Sequence, residues 1–173
     1  SSADLNYNAL IATDAADVAV TNNDNDAAAI NVTAISGPTS ENLTTATFSI
    51  TLSSQPTADV TIPLSSSNAL EGTVPVNIII AAANWNIANT VTVTGVNDVF
   101  IDGNIAYTII TGDPSSADLN YNALIATDAA DVNVTNNDND SAAINVTGIS
   151  GPTSENLTTA TFSITLSSQP TAD

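Results

Sequence analysis

Thr45-Ala46-Thr47-Phe48-Ser49-Ile50-Thr51-Leu52 alternates hydroxyl and apolar side chains without a break. A period of two puts Ala46, Phe48, Ile50 and Leu52 on one face and Thr45, Thr47, Ser49 and Thr51 on the other. An extended strand separates these two sets and a helix mixes them. The segment is therefore read as a half-buried β-strand, and its neighbours are judged by whether they extend the same sheet.

They do, in both directions. Upstream, Ile30 to Ile35 places Ile30 and Val32 on one face, and Ser36-Gly37-Pro38 then turns the chain into a polar loop that carries Glu41. Downstream, a loop holding Pro56 leads to a strand with Val60, Ile62 and Leu64 inward, where Pro63 predicts an edge or a bulge. A loop with Asn68 and Glu71 follows, then a strand near Asn77 to Ala81 and a loop containing Trp85. Thr90 to Thr94 is the next strand, with Val91 and Val93 facing in; Gly95 to Asn104 is a loop with acids at Asp98 and Asp102. Ile105 to Thr111 follows, with Tyr107 and Ile109 on one face. A long polar connection from Gly112 to Ala130 precedes the last strand, Asp131 to Thr135, with Val132 and Val134 inward. Seven strands rich in β-branched residues and no helical period predict an all-β fold. Their number and spacing fit an antiparallel, Greek-key sandwich of immunoglobulin-like type.

The last strand runs on as V-N-V-T-N-N-D-N-D, Val132 to Asp140, and the same stretch stands at Val18 to Asp26 as V-A-V-T-N-N-D-N-D. Residues 1–59 recur at 115–173 without a gap, a period of 114 residues, and differ only at Ala19/Asn133, Ala27/Ser141 and Ala34/Gly148. An Asn/Asp run after a strand is the natural boundary, because it neither continues an apolar pattern nor turns the chain back. The chain thus divides into 1–26, the C-terminal part of one repeat; 27–140, a complete repeat; and 141–173, the N-terminal part of the next. Copies this similar suit a spacer whose product is length better than modules with separate partners.

Composition narrows the function. There is no Lys, Arg, His, Cys or Met, and 15 Asp and 3 Glu give a net charge of −18 although only 10% of residues are charged. Nucleic acid and anionic membranes need basic residues to bind and find none. Without cysteine or lysine, neither disulfides nor Lys-dependent isopeptide bonds brace the fold. No apolar run of about twenty residues predicts membrane insertion. With no initiator Met and no secretory signal, the chain is expected to be an internal piece of a longer one. Catalysis without His, Cys, Lys or Arg would require paired carboxylates about a cleft, such as Asp98 with Asp102. A near-identical tandem array with only seven aromatic residues weighs against that, and a non-enzymatic role is expected.

The natural counter-charges are cations. In the predicted topology Glu41, the loop bearing Asn68 and Glu71, the loop bearing Asn97, Asp98 and Asp102, and Asp138, Asn139 and Asp140 gather at one pole. Two carboxylates about 5 Å apart repel by roughly 3 kcal/mol at an effective dielectric of about 20. A hard cation with oxygen ligands removes that penalty, and Ca2+ accepts six to eight oxygens from such groups. Each Asn or Asp alone is as well explained as a turn former. The candidate ligands are therefore Glu41, Asn97, Asp98, Asp102, Asp138, Asn139 and Asp140, with Asn68, Glu71, Asp24, Asp26 and Glu155 as weaker ones.

Glu41, the acidic loop with Asp98 and Asp102, and a final strand ending in D-N-D together resemble the Calx-beta family. The run T-V-T-V-T-G-V-N-D-V-F-I-D-G-N-I-A-Y-T-I, Thr90 to Ile109, is similar to repeats of very large secreted bacterial adhesins. Asn137, Asp138 and Asn139 also match the N-D-N of the cadherin D-x-N-D-N linker, from which Thr135 departs. The resemblance implies sandwich domains that bind several Ca2+ ions at one pole. Asn68 and Asn97, where that family often has Asp, imply fewer or weaker sites. It further implies an extracellular, cell-surface filament or adhesin stalk. Its repeats would pack against identical neighbours, and a tip outside this sequence would meet the target cell; side-by-side assembly with other copies into a thicker fibre is a third reading, which edge strands containing Pro63 and uniformly negative surfaces oppose unless cations bridge the chains. The alternative is a carbohydrate- or protein-binding module acting through Gly112 to Ala130.

Overall fold

The computed structural model describes residues 3–10, 16–126 and 129–172. A single helical turn, α1 (Leu5–Asn8), stands at the N-terminal end. Strands β1 (Ile30–Val32), β2 (Thr39–Ser40), β3 (Thr45–Leu52), β4 (Val60–Ser66), β5 (Gly72–Thr73) and β6 (Asn77–Ile80) follow. Then come a 3-10 turn, Ala82–Asn84, and β7 (Asn89–Gly95), β8 (Ile105–Thr111), β9 (Ser115–Ser116), α2 (Leu119–Asn122) and β10 (Val132–Asn137). Two short strands, β11 (Ile144–Val146) and β12 (Ile164–Leu166), complete the order.

One sheet has the order β1-β3-β7-β5, and a second has β2-β10-β8-β4-β6 with β9 also on β4. Almost all pairings are antiparallel; β2 with β10 is parallel. The inward residues of both sheets form one core: Ile30, Phe48, Ile50, Leu52, Val91 and Val93 from the first, and Val60, Ile62, Leu64, Ile80, Tyr107, Ile109, Val132 and Val134 from the second. Strand β3 alternates buried apolar residues with exposed or half-exposed hydroxyl residues along its whole length as its pattern requires.

Three strands of two residues each, β2, β5 and β9, escape a pattern-based reading because two residues carry no period. The connection Gly112 to Ala130 is also more ordered than its polarity implies, although residues 127 and 128 lie outside the described ones. Asp118 caps α2 by accepting from the N–H of Asn120 and Tyr121, and it accepts from Thr57 N–H at 2.7 Å and the Thr57 hydroxyl at 2.9 Å. Tyr121 is fully buried in the core and donates its hydroxyl to the Ser54 carbonyl at 2.6 Å. Pro63 does not mark an edge strand, since β4 lies inside its sheet. It sits where β4 changes neighbour, with Val60 and Thr61 facing β9 and Leu64 to Ser66 facing β8. The ladder bond that proline cannot donate falls at that break.

The repeated segments behave differently in their two settings. Val132 and Val134 are 5% and 3% exposed in β10, whereas their copies Val18 and Val20 are both 86% exposed and belong to no strand. Strand β11 pairs β12 in the register of β1 with β3, Ile144 opposite Leu166 as Ile30 is opposite Leu52. Lacking the facing sheet, Ile144 is 70% exposed where Ile30 is 6%. The three positions that differ between copies avoid the core: Ala27, Ala34 and Asn133 are all exposed.

Candidate metal centre

The pole at which β7 ends and β8 begins is built around a close approach of three strands. Strand β2 lies parallel to the end of β10, Thr39 opposite Asn136 and Ser40 opposite Asn137, which continues into Glu41 N–H donating to the Asn137 carbonyl at 3.1 Å. Gly95 permits this, because a methyl there would overlap the Ser40 carbonyl and the Asn136 side chain. Asn136 follows Val132 and Val134 on the inward face and is 1% exposed. Its Oδ1 accepts from the Thr39 hydroxyl at 3.0 Å, and its Nδ2 donates to the Val96 carbonyl at 2.9 Å and Glu71 Oε2 at 3.3 Å. A buried carboxamide with every partner present holds the loops in place.

Two groups of carboxylates flank it. In each of the sets Glu41, Asp138, Asp140 and Glu71, Asp98, Asp102, one oxygen per residue lies within 4.8 Å of the others. Glu41, 2% exposed, accepts from Asn139 N–H at 2.9 Å. Asp138 accepts from Asp140 N–H at 2.7 Å and from Gly103 N–H at 2.8 Å. Its own N–H donates to Asn104 Oδ1 at 3.1 Å. Burial pushes the Glu41 carboxyl up, against the Asn139 N–H, and the charges of Asp138, Asp98 and Asp140 add to the rise. The N–H groups of Asp140 and Gly103 hold Asp138 below the ordinary aspartate value. Asp140 Oδ2 is buried without a hydrogen-bond partner.

Of the other sequence-predicted ligands, Asn97 and Asn139 are at this pole and bond each other, Asn139 Nδ2 donating to Asn97 Oδ1 at 3.2 Å. Asn139 also donates to Asn42 Oδ1 at 3.1 Å. Asn68 closes its own turn, its side chain accepting from Leu70 N–H at 3.2 Å, and its backbone carbonyl accepts from the N–H of Glu71 at 3.2 Å. Asp24 and Asp26 line a hollow with Ser54, Gln55 and Asn120 at the opposite pole. Glu155 is exposed and outside both groups. Sequence reasoning missed Thr39, Asn104 and Asn136. For Asn136 a signal existed, since the period of two that buries Val132 and Val134 places it inward as well.

The donor set fits a hard cation. Metal–oxygen distances of about 2.3–2.6 Å let two ligand oxygens stand as far as roughly 5 Å apart, so each carboxylate triad has a spacing that one ion can span. Six carboxylates meet here in a chain without one basic side chain. The orphaned Asp140 Oδ2 is the atom that a cation would satisfy. Glu41, Asp138 and Asp140 would hold one ion, and Glu71, Asp98 and Asp102 a second. Such an ion would supply charge neutralisation and cross-linking of loops. Among the described residues no helix is long and apolar enough to cross a membrane. No protein-family model and no curated protein matches the chain.

Proposed function

We propose that the chain is part of an extracellular bacterial stalk, a tandem array of immunoglobulin-like, Calx-beta-like repeats in which Ca2+ stiffens each junction. Residues 27–140 form the complete repeat, and its product is length. The observation that carries this reading is Asp140 Oδ2, a buried carboxylate oxygen with no hydrogen-bond partner, at the residue where the repeat ends. An ion shared by Glu41, Asp138 and Asp140 would tie the first residues of the link to the β2–β3 loop and fix the direction in which the next repeat starts. Two face-packed sheets with one core and a near-identical neighbouring copy support the spacer reading.

Calorimetric titration of the 173-residue chain with Ca2+ tests the metal, with Asp140→Asn as the variant. Saturable binding is expected, weakened about tenfold or more by the lost charge, since that factor corresponds to only 1.4 kcal/mol and close ion pairs exceed it. In chelator, Asp140→Asn should unfold at the same temperature or higher, because it removes a like charge. Equal affinity of the two proteins would remove Asp140 from the site.

A further inference from the structure

Proline in an edge strand and negative charge both oppose side-by-side pairing of such chains, and one edge of the fold carries neither. Strand β6, Asn77–Ile80, is the outermost strand of the second sheet and pairs only with β4. Leu64 donates its N–H to the Val76 carbonyl at 2.9 Å, so Val76, Ile78 and Ile80 turn their backbone groups toward β4, and Asn77 and Ile79 turn theirs to the open side. Ile79 is 61% exposed and lies outside the core. Edge strands are commonly blunted by a charge, a proline or a bulge. Asn77 to Ile80 has none of the three, and Pro63 stands one strand further in.

The other edges of the two packed sheets are less open. Strands β2 and β5 have two residues each, and β5 follows Glu71 directly. Strand β1 lies beside Asp131, which lines a hollow with Val32 and Thr33. Glu71 and Asp98 bracket the longest run of the chain without a charge, and β6 is inside it. A basic partner would be drawn to the acidic surfaces and not to this edge. A partner that is itself acidic can approach only where no carboxylate faces it, and a second copy of this chain, at −18 without one basic residue, is such a partner. Asp59 reaches the end of the edge, its Oδ1 accepting from the Ala82 N–H at 2.9 Å. Antiparallel pairing about Ile79 sets Ala82 opposite Val76 of the mate. The two Ala82 ends, each with its Asp59, then stand roughly 20 Å apart at about 3.4 Å per residue, well beyond the screening length of about 8 Å.

We propose that β6 is the lateral assembly edge of the array: a second copy of this chain adds its own β6, antiparallel, across a local twofold axis at Ile79, and each Ile79 exchanges both backbone hydrogen bonds with its mate. The proposal rests on the tandem-spacer reading, which supplies the same edge once in every period of 114 residues, and not on the metal. One edge this short holds two copies weakly. Edges repeated along both chains reinforce one another, because once the first pair engages the others meet at high local concentration.

The chain contains no cysteine, so a single introduced thiol reports one contact only. Opposed residues that exchange both bonds have Cα atoms about 5.5 Å apart, within disulfide reach. In chelator, Ile79→Cys is expected to form a disulfide-linked dimer about tenfold faster than Val76→Cys, which is 79% exposed on the same edge but opposite Ala82 in the pair. Sedimentation equilibrium of the 173-residue chain in chelator is expected to show a dimer at about 1 mM. Ile79→Asp, which sets like charges on the axis, is expected to abolish it at an unchanged melting temperature. Equal rates for the two thiols, or a parent that is monomeric at that concentration, would overturn the assembly edge. So would a dimer that survives Ile79→Asp but is lost in Ile144→Asp, on the exposed face of β11. Because no Ca2+ is present, a failure of the metal reading leaves this result standing, and a monomer here leaves the spacer reading standing.

Discussion

At the scale of single residues, the fold depends on side chains that are unusual for their surroundings. Gly95 lets the end of β7 lie against β2 and β10, so Gly95→Ala is expected to destabilise by about 1–3 kcal/mol, the range for overpacking a filled site. Urea unfolding in chelator measures it, and a midpoint within error of the parent would contradict the account of that contact. Asp118 is held below the ordinary aspartate value, chiefly by the Thr57 N–H and hydroxyl. A carboxyl with a depressed folded-state pKa contributes stability that is present above its unfolded value, near 4, and is lost as pH falls through the folded one. Asp118→Asn should therefore lower stability at pH 7 and flatten the fall in urea midpoint below about pH 4. An unchanged acid limb would show that the bonds from Thr57 and the α2 turn do not favour the charged form.

At the scale of elements, the two copies of one strand separate sequence from context. Val18 to Asn23 differs from β10 only at Ala19, yet it is unpaired while β10 has neighbours on both sides. Its amides should exchange with solvent orders of magnitude faster than those of Val132 to Asn137, as resolved by hydrogen-exchange mass spectrometry. Comparable protection would mean that the first copy has found a partner. The long strands were legible in the sequence for the reason this contrast makes plain: Phe48, Val91, Ile109 and Val134 recur at a period of two and are buried accordingly. What could not be read has no period. Strands β2, β5 and β9 are fixed by contacts with distant residues, and the burial of Tyr121 depends on Ser54 and the core, 67 residues away in the case of Ser54. The carboxylates at the acidic pole could be placed because the loop order sets which ends of the sheets meet. The division into two triads could not, because it turns on distances between side chains of loops far apart in the chain.

At the scale of the whole molecule, a chain with a charge of −18 and no basic side chain can relieve its crowded pole only with ions from outside. Binding confined to the folded state stabilises it by about 2.7 kcal/mol at a hundred times Kd. That shift would raise the melting temperature of a repeat of this size by roughly 10 °C. The mechanical consequence concerns the link from Asp138 to Asp140, where the carboxylates either repel one another or share an ion with Glu41. Small-angle X-ray scattering of three consecutive repeats, with Ca2+ and then with excess chelator, tests that most directly. The account predicts a rod of fixed maximum dimension in Ca2+ and a broader, shorter distance distribution in chelator; identical profiles in the two conditions would contradict it.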